Sequence, residues 1–435
     1  MSTTVVDLPQ RSHDGRRTTV SSTIKLAGKE YQIWYAFSEP LNVQTGETFF
    51  AASLLPAMKV GQPLEIKAPV SAKLLTNAQR IQEIFHGWFP ELKIIPIQAQ
   101  HCTLSAAGSP EVGAFFSGGV DSFYTLLKHQ REITRIIYVH GLDIWLKDEE
   151  FRQKVVNELR VIGDSLGKPL LEVETNLRDY SDLYVDWGFH ANGAALASVA
   201  QLLAPQFHKV YIPSSHKYKD MFPWGSHPIV DPLWSTEQLD LVHDGCEASR
   251  VQKVASIAQS PVALSKLRVC YENLHSANEG NPDFYNCGSC EKCLRTMVNL
   301  HLVGGLNRCA TFPHDLDFQA LSRIVIADEN TFSFVNENLE AATSAGNQGP
   351  LVEALETCIQ RYRRRLLEKE LEHLRSSTWW DDWLADKKNS IIKALWDRHR
   401  RWVNKTVLIE NVKFLDRLCL RGMGSRAYKK LSYRG

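Results

Sequence analysis

Val112-Gly-Ala-Phe-Phe116, Ser117-Gly118-Gly119-Val120-Asp121-Ser122 and Phe123-Tyr-Thr-Leu-Leu127 follow one another without a break, and their reading decides the fold. The first block is a short apolar run of the kind that forms a buried strand, and the last spaces its apolar residues as a helix does. Between them, adjacent glycines let the backbone approach a ligand closely, while unpaired N–H groups and the positive end of the helix face an anion. Ser117 and Ser122 add hydroxyl donors. Asp121 would repel a phosphate, so its presence predicts Mg²⁺ bridging the carboxylate and the nucleotide. The chain has no G-x-x-x-x-G-K-[ST] string, which argues against a phosphoryl-transferring P-loop enzyme.

Downstream the alternation continues. Ile136–His140, Leu170–Val173 and Val210–Pro213 read as strands, and Ser122–His129, Glu149–Leu166 and Asn192–Leu203 as helices. Strands alternating with helices predict an α/β fold with a doubly wound parallel sheet covered on both faces. Ligands of such sheets bind at the carboxyl ends of the strands. His140 and Asp143 after the second strand, and Ser214, Ser215, His216 and Lys217 after the fourth, are therefore candidate nucleotide or substrate contacts. Arg250 and Lys253, three apart on a predicted helix, could face phosphate together.

The nine cysteines include Cys287-Gly-Ser-Cys290-Glu-Lys-Cys293. Crowding of this kind in a large chain without an evident signal segment points to metal rather than a disulfide framework. With Cys270 upstream across a polar loop as the fourth ligand, the set makes a closed tetrahedral zinc site of structural type. An iron–sulfur cluster and uncoordinated redox cysteines are the alternatives. Cys102, Cys246, Cys309, Cys358 and Cys419 lack ligand spacing and read as ordinary buried cysteines.

The 435 residues predict four regions: a disordered tail over 1–20, a small α+β domain over 21–108, the α/β core over 109–310 with the cysteine loop at 270–293, and a helical extension over 330–435. In the first extension, Ile24 and Leu26, a turn at Gly28-Lys29, then Tyr31, Ile33 and Tyr35 describe a hairpin, and a helix follows Thr76-Asn77. Arg361 to Gly435 carries 20 Lys and Arg against 9 Asp and Glu, on a chain of net charge +1. That basic end suits docking of an acidic partner. Trp379, Trp383, Trp396 and Trp402 with Arg363–Arg365 and Arg400-Arg401 are read first as packing, then as protein docking, and last as nucleic-acid binding. No run is long and apolar enough for a membrane span, and the expected location is the cytoplasm.

The string Ser117–Ser122 resembles the Ser-Gly-Gly-x-Asp-Ser signature of the PP-loop ATP pyrophosphatases, which cleave ATP between the α- and β-phosphates. Together with Cys270 and Cys287-Gly-x-Cys290-x-x-Cys293-x-Arg295, it makes residues 110–300 resemble the QueC family, the 7-cyano-7-deazaguanine synthases. That resemblance implies ATP as substrate with Mg²⁺, zinc on the four cysteines, adenylation of a carboxylate such as 7-carboxy-7-deazaguanine, and transfer of the acyl group to an amine. It carries Ser117, Gly118, Gly119, Asp121 and Ser122 into the ATP site and sets Asn192 beside the nucleotide; Ser117, Asp121 and Ser122 are the candidate catalytic residues, and Val120 and the strand-end His140 are further candidate ATP contacts. The loops Tyr138–Asp143 and Pro213–His216 depart from the synthase pattern. QueC-like proteins with added domains occur in anti-phage defence operons, which implies a protein amine as an acceptor in place of ammonia, docked on the extensions. A PP-loop enzyme acting on tRNA and a non-catalytic ATP-binding module are the competing readings, and an oligomer is open.

Overall fold

The computed structural model describes residues 2–39, 46–104, 109–270 and 285–376. The chain divides into two units, Met1–Asp317 and Phe318–Gly435.

The first unit is built on one 11-stranded sheet. Its N-terminal part comprises β1 (Thr4–Val6), β2 (Gln10–His13), β3 (Thr18–Leu26), β4 (Lys29–Phe37), α1 (Glu47–Val60), β5 (Leu64–Ser71), α2 (Ala72–Trp88) and β6 (Ile97–Cys102). The remainder comprises β7 (Val112–Phe115), α3 (Val120–Lys128), β8 (Arg135–His140), α4 (Glu149–Leu166), β9 (Leu170–Thr175), α5 (Leu177–Ser181), α6 (Asn192–Leu202), β10 (Lys209–Pro213), β11 (Asp240–Asp244), α7 (Arg250–Ile257), α8 (Pro261–Lys266) and α9 (Glu291–Leu302).

Strands β7 to β11 pair in parallel in the order β11-β10-β7-β8-β9. From β7 the chain winds outward through β8 and β9, then returns to the other side of β7 for β10 and β11. This is a Rossmann-like, doubly wound arrangement with its switch point between β7 and β10. Successive residues of each strand feed different cores. Phe115, Ile137, Val139, Val173 and Ile212 pack on the α1 and α6 side, while Ala114, Phe116, Ile136, Tyr138 and Tyr211 pack with α3, α4, α7 and α9. The fifth parallel strand, β11, is absent from the sequence reading. Its Asp240-Leu-Val-His-Asp244 has too few consecutive apolar residues to stand out.

Two expectations for the N-terminal part are corrected. The segment read as a disordered tail contains β1 and β2, and β1 is inserted between β3 and β5 with Thr4 and Val6 buried. The region 21–108 is not a separate small domain. Antiparallel pairing of β4 with β9 continues the central sheet, and Tyr35, Phe49, Phe50 and Phe85 share one core with Val173, Val199 and Trp234. The hairpin itself is as read, except that its two-residue turn is Ala27-Gly28, both with positive φ of 53° and 76°. That pair of signs is the primed turn that matches strand twist. Helix α2 starts earlier than Thr76-Asn77 because the Ser71 hydroxyl caps Leu74 N–H.

The second unit has α10 (Phe318–Ser322), α11 (Glu329–Ser344) and α12 (Pro350–Ser376). The predicted break at Ala345–Pro350 separates α11 from α12, with Gly346 and Gly349 at positive φ. Tyr362 stacks on Phe332 at 5.3 Å and donates to Glu329 at 3.0 Å, pinning the two long helices together. Trp379, Trp383, Trp396, Trp402, Arg400, Arg401 and Cys419 lie outside the described residues.

Gly141 sets the bend at the carboxyl end of β8 with φ of 95°, and a Cβ there would fall 1.9 Å from the Thr175 carbonyl oxygen. Gly141→Ala should therefore destabilise the chain by about 3 kcal/mol or more. Gly167→Ala, at φ of 65° in open space, should cost only about 1–2 kcal/mol. Urea midpoints of the two variants check the contrast.

Candidate functional site

A cavity of about 330 Å³ opens at the switch point, lined by the carboxyl ends of β7, β8 and β10. The loop after β7 forms its floor. Gly118 adopts φ of 77°, and extended Gly119 caps α3 with no side chain satisfying the first N–H groups. Ser117 faces the cavity, whereas the Ser122 hydroxyl, also in the lining, bonds back to Gly119 O at 3.0 Å. Arg268 straps this loop. Its backbone N–H reaches Gly118 O at 2.8 Å, and its guanidinium holds Ser117 O at 3.1 and 3.2 Å.

Asp121 is neutralised by protein. Arg250 Nη1 lies 2.5 Å from Oδ2 and Lys253 Nζ 3.1 Å from Oδ1. Both cations come from α7, whose start is fixed by a reciprocal Ser249–Gln252 capping box. Burial works against the Asp121 charge, but Arg250 and then Lys253 outweigh it and hold the carboxyl well below the usual range. The predicted pair thus converges on the loop, though on its carboxylate, and a divalent cation would have to share Asp121 with them. Lys253 Nζ also donates to Ser214 O at 2.5 Å, joining the loop after β10 to the loop after β7.

The lining carries Arg250, Arg268 and Lys292 against Asp121 and Asp143. Burial, followed by the charges of Arg295 and Arg250, brings Lys292 down to about 8. The cationic excess suits a polyanion. Asn192 opens α6 in the cavity wall, with its Oδ1 buried and unpartnered among the described residues. Ser215 lines the rim. His216, packed on Phe222 at 4.9 Å, is pushed by burial down to about 4 and is neutral at pH 7. Trp187, Phe222 and Trp224 give the cavity an aromatic side, with Phe222 and Trp224 meeting edge to face at 65°.

His140 is corrected. It is fully buried, bonds to Trp145 O at 3.1 Å and turns toward Glu174 at 3.8 Å, away from the lining. Glu174, next to it, is brought down to about 2, first by His140, against burial and with help from Arg17. A histidine at a strand end serves here as a structural link between β8 and β9.

Three groups in the site escaped the sequence reading. Lys292 sits inside the quoted cysteine segment and Arg268 two residues before Cys270, and that spacing was the available signal. The third group is His243, in the cavity lining, with Asp231 behind it. Asp231 Oδ2 lies 2.7 Å from His243 Nδ1, and the two side chains are 0% and 3% exposed. Burial opposes the His243 charge, but Asp231 and the Cys246 sulfur push the ring up to about 9. No local pattern links residues so placed.

The sulfur atoms of Cys270, Cys287, Cys290 and Cys293 lie within 4.8 Å of one another, with Cys270–Cys290 at 4.0 Å and Cys287–Cys293 at 3.8 Å. A tetrahedron with Zn–S of about 2.3 Å requires S–S of about 3.8 Å, so the donor set fits zinc, and a disulfide would need about 2.0 Å. Gly288, at φ of 72°, makes the knuckle, and the N–H groups of Ser289 and Cys290 point at Cys287 Sγ at 3.5 and 3.3 Å. Asn286 completes the frame. Fully buried, it receives Val269 N–H and Cys270 N–H and donates to the Leu267 and Thr311 carbonyls. Since Cys270 follows Arg268 and Cys293 lies on α9 beside Lys292, a metal here ties two cavity cations to one centre. Cys246, Cys309 and Cys358 are free and buried, as read, while Cys102 is free and partly buried.

No protein-family model, curated protein or solved structure matches the chain. Among the described residues no helix is long and apolar enough to cross a membrane.

Two measurements follow from this geometry. Metal analysis of purified protein should find about one zinc per chain with Zn–S of about 2.3 Å by X-ray absorption, and Cys293→Ser should lose it. Raised in the fold, the His243 pKa contributes stability that is complete below about pH 6.5 and lost as pH rises through about 9, up to about 3 kcal/mol. Denaturation free energies of wild type and His243→Gln should converge over that window.

Proposed function

We propose that the chain is a zinc-containing, PP-loop-type ATP pyrophosphatase that adenylates a carboxylate and passes the acyl group to an amine, in the manner of the QueC family. The observation that carries this reading is the Ser117–Ser122 loop at the start of α3, at the floor of a cavity where Arg250, Arg268 and Lys292 gather.

The β- and γ-phosphates would lie over the Gly118-Gly119 turn, with the N–H groups of α3 and the cationic side chains spreading their charge. A leaving pyrophosphate held there exposes the α-phosphorus. One oxygen of the acid attacks it, the bond to pyrophosphate breaks, and the acyl-adenylate remains in the cavity. An amine then attacks the acyl carbon, AMP departs, and the amine gives up a proton. Positioning and charge stabilisation supply most of the acceleration. Zinc on the four cysteines would be structural, holding Arg268 and α9 in register. We place a flat heteroaromatic acid such as 7-carboxy-7-deazaguanine against Trp187 and Trp224, with Asn192 Oδ1 accepting from the ligand. The amine is ammonia or, as defence-associated relatives of that family suggest, a protein amine.

ATP–pyrophosphate exchange dependent on 7-carboxy-7-deazaguanine is the direct assay. Ser117→Ala should lower exchange by about 10²–10³. Unchanged exchange in that variant removes the phosphate-loop assignment, and failure of every carboxylate to support exchange removes adenylation.

A further inference from the structure

Asp231 is fully buried behind the cavity-lining residues Ser226, His227 and His243. Its Oδ1 accepts the His227 backbone N–H at 3.2 Å, and its Oδ2 accepts the Ser226 hydroxyl at 2.6 Å and His243 Nδ1 at 2.7 Å. Three bonds hold the carboxylate in place, and it keeps a proton on Nδ1. His243 projects from β11, where it is the register partner of Ile212 on β10. It lines the cavity together with Ser226 and His227.

The other ring nitrogen is what requires an explanation. His243 Nε2 is buried and has no hydrogen-bond partner among the described residues. The Cys246 sulfur is the ring's other polar neighbour and a weak acceptor at best, and it directs its own proton to Ser214 Oγ at 3.3 Å. The groups around the ring are therefore Asp231, Ser226, Cys246 and His227, and burial together with the His243 charge keeps His227 below its usual value. With Nδ1–H committed to Asp231 and the ring cationic, Nε2 carries a proton that no oxygen or nitrogen among the described residues accepts, the Cys246 sulfur being its one weakly accepting neighbour. A buried, charged donor left unpaired on a cavity wall is costly unless a ligand supplies the acceptor.

We propose that His243, oriented by Asp231, binds the carboxylate of the acid substrate, donating Nε2–H to one of its oxygens. The second oxygen is then free to attack. The wall between the two ends is continuous: Ser214, which accepts the Cys246 proton, gives its carbonyl to Lys253, and Lys253 holds Asp121 of the phosphate loop. In the adenylation step His243 keeps its proton, because a carboxylate attacks without releasing one. In the transfer step the same Nε2–H polarises the acyl carbonyl while the C–N bond forms, the C–O bond to AMP breaks and the amine's proton passes to solvent water. The part in adenylation rests on the function proposed above, whereas the carboxylate site does not.

The test uses the full chain labelled with ¹⁵N-histidine and two probe acids, acetate and indole-3-carboxylate, against their amides. Both acids should shift the His243 Nε2–H resonance. Indole-3-carboxylate should bind about tenfold or more tightly than indole-3-carboxamide, and the preference should vanish in His243→Gln. Asp231→Asn, checked for fold by circular dichroism, should weaken the preference and lower the pH at which the ring titrates. An undiminished preference in His243→Gln overturns the proposal, as does the absence of a shift with either acid in wild type. If the preference holds but no acid supports pyrophosphate exchange, the carboxylate site stands and the adenylation chemistry falls. If exchange proceeds with the same KM in His243→Gln, His243 has no part in binding the acid.

Discussion

The buried contact of Asp121 with Arg250 and Lys253 holds the site together. Two buried cations and a mostly buried carboxylate meet there, and each is tolerable only because the others are in place. Asp121 belongs to the turn that leaves the central strand, and its partners belong to a helix more than a hundred residues later. The pair therefore closes the chain after β11 back onto β7. Lys253 extends the closure to Ser214, so the loops after β7 and β10 keep a fixed separation across the switch point. Removing any one member would leave a charge stranded in a low-dielectric wall.

A second constraint acts from the opposite side. Arg268 grips the carbonyls of Ser117 and Gly118, and two residues later Cys270 enters the four-sulfur cluster. Asn286 binds the backbone on both sides of that cluster through four hydrogen bonds. The phosphate-type loop is thus clamped between an ion triad on α7 and a metal-type knuckle leading into α9. Such rigidity is what the positioning role proposed for this site would need.

Much of this was legible in the primary structure. The run Val112–Leu127 announces strand, turn and helix because period and glycine placement are local properties. Glu149–Leu166 matches α4 residue for residue, since Asp148 caps it and Gly167 ends it in the left-handed conformation. The cysteine quartet was readable because knuckle spacing is local. By contrast, β1 was hidden, since three residues carry no periodicity and only the gap between β3 and β5 makes them a strand. His140 misled for a related reason. A strand-end histidine can face either way, and the packing of Glu174 and Trp145 turned it from the cavity.

By itself the sequence determined the α/β alternation, the anion-suited turn at Ser117–Ser122 and the four thiol ligands, because each depends on residues close together along the chain. Only the tertiary structure decided that Arg250 and Lys253 answer Asp121, that the N-terminal strands extend the central sheet, and that Asp231 meets His243 in the cavity wall. Those outcomes depend on which distant segments share a buried volume, and burial gives a charge or an unpaired donor its meaning.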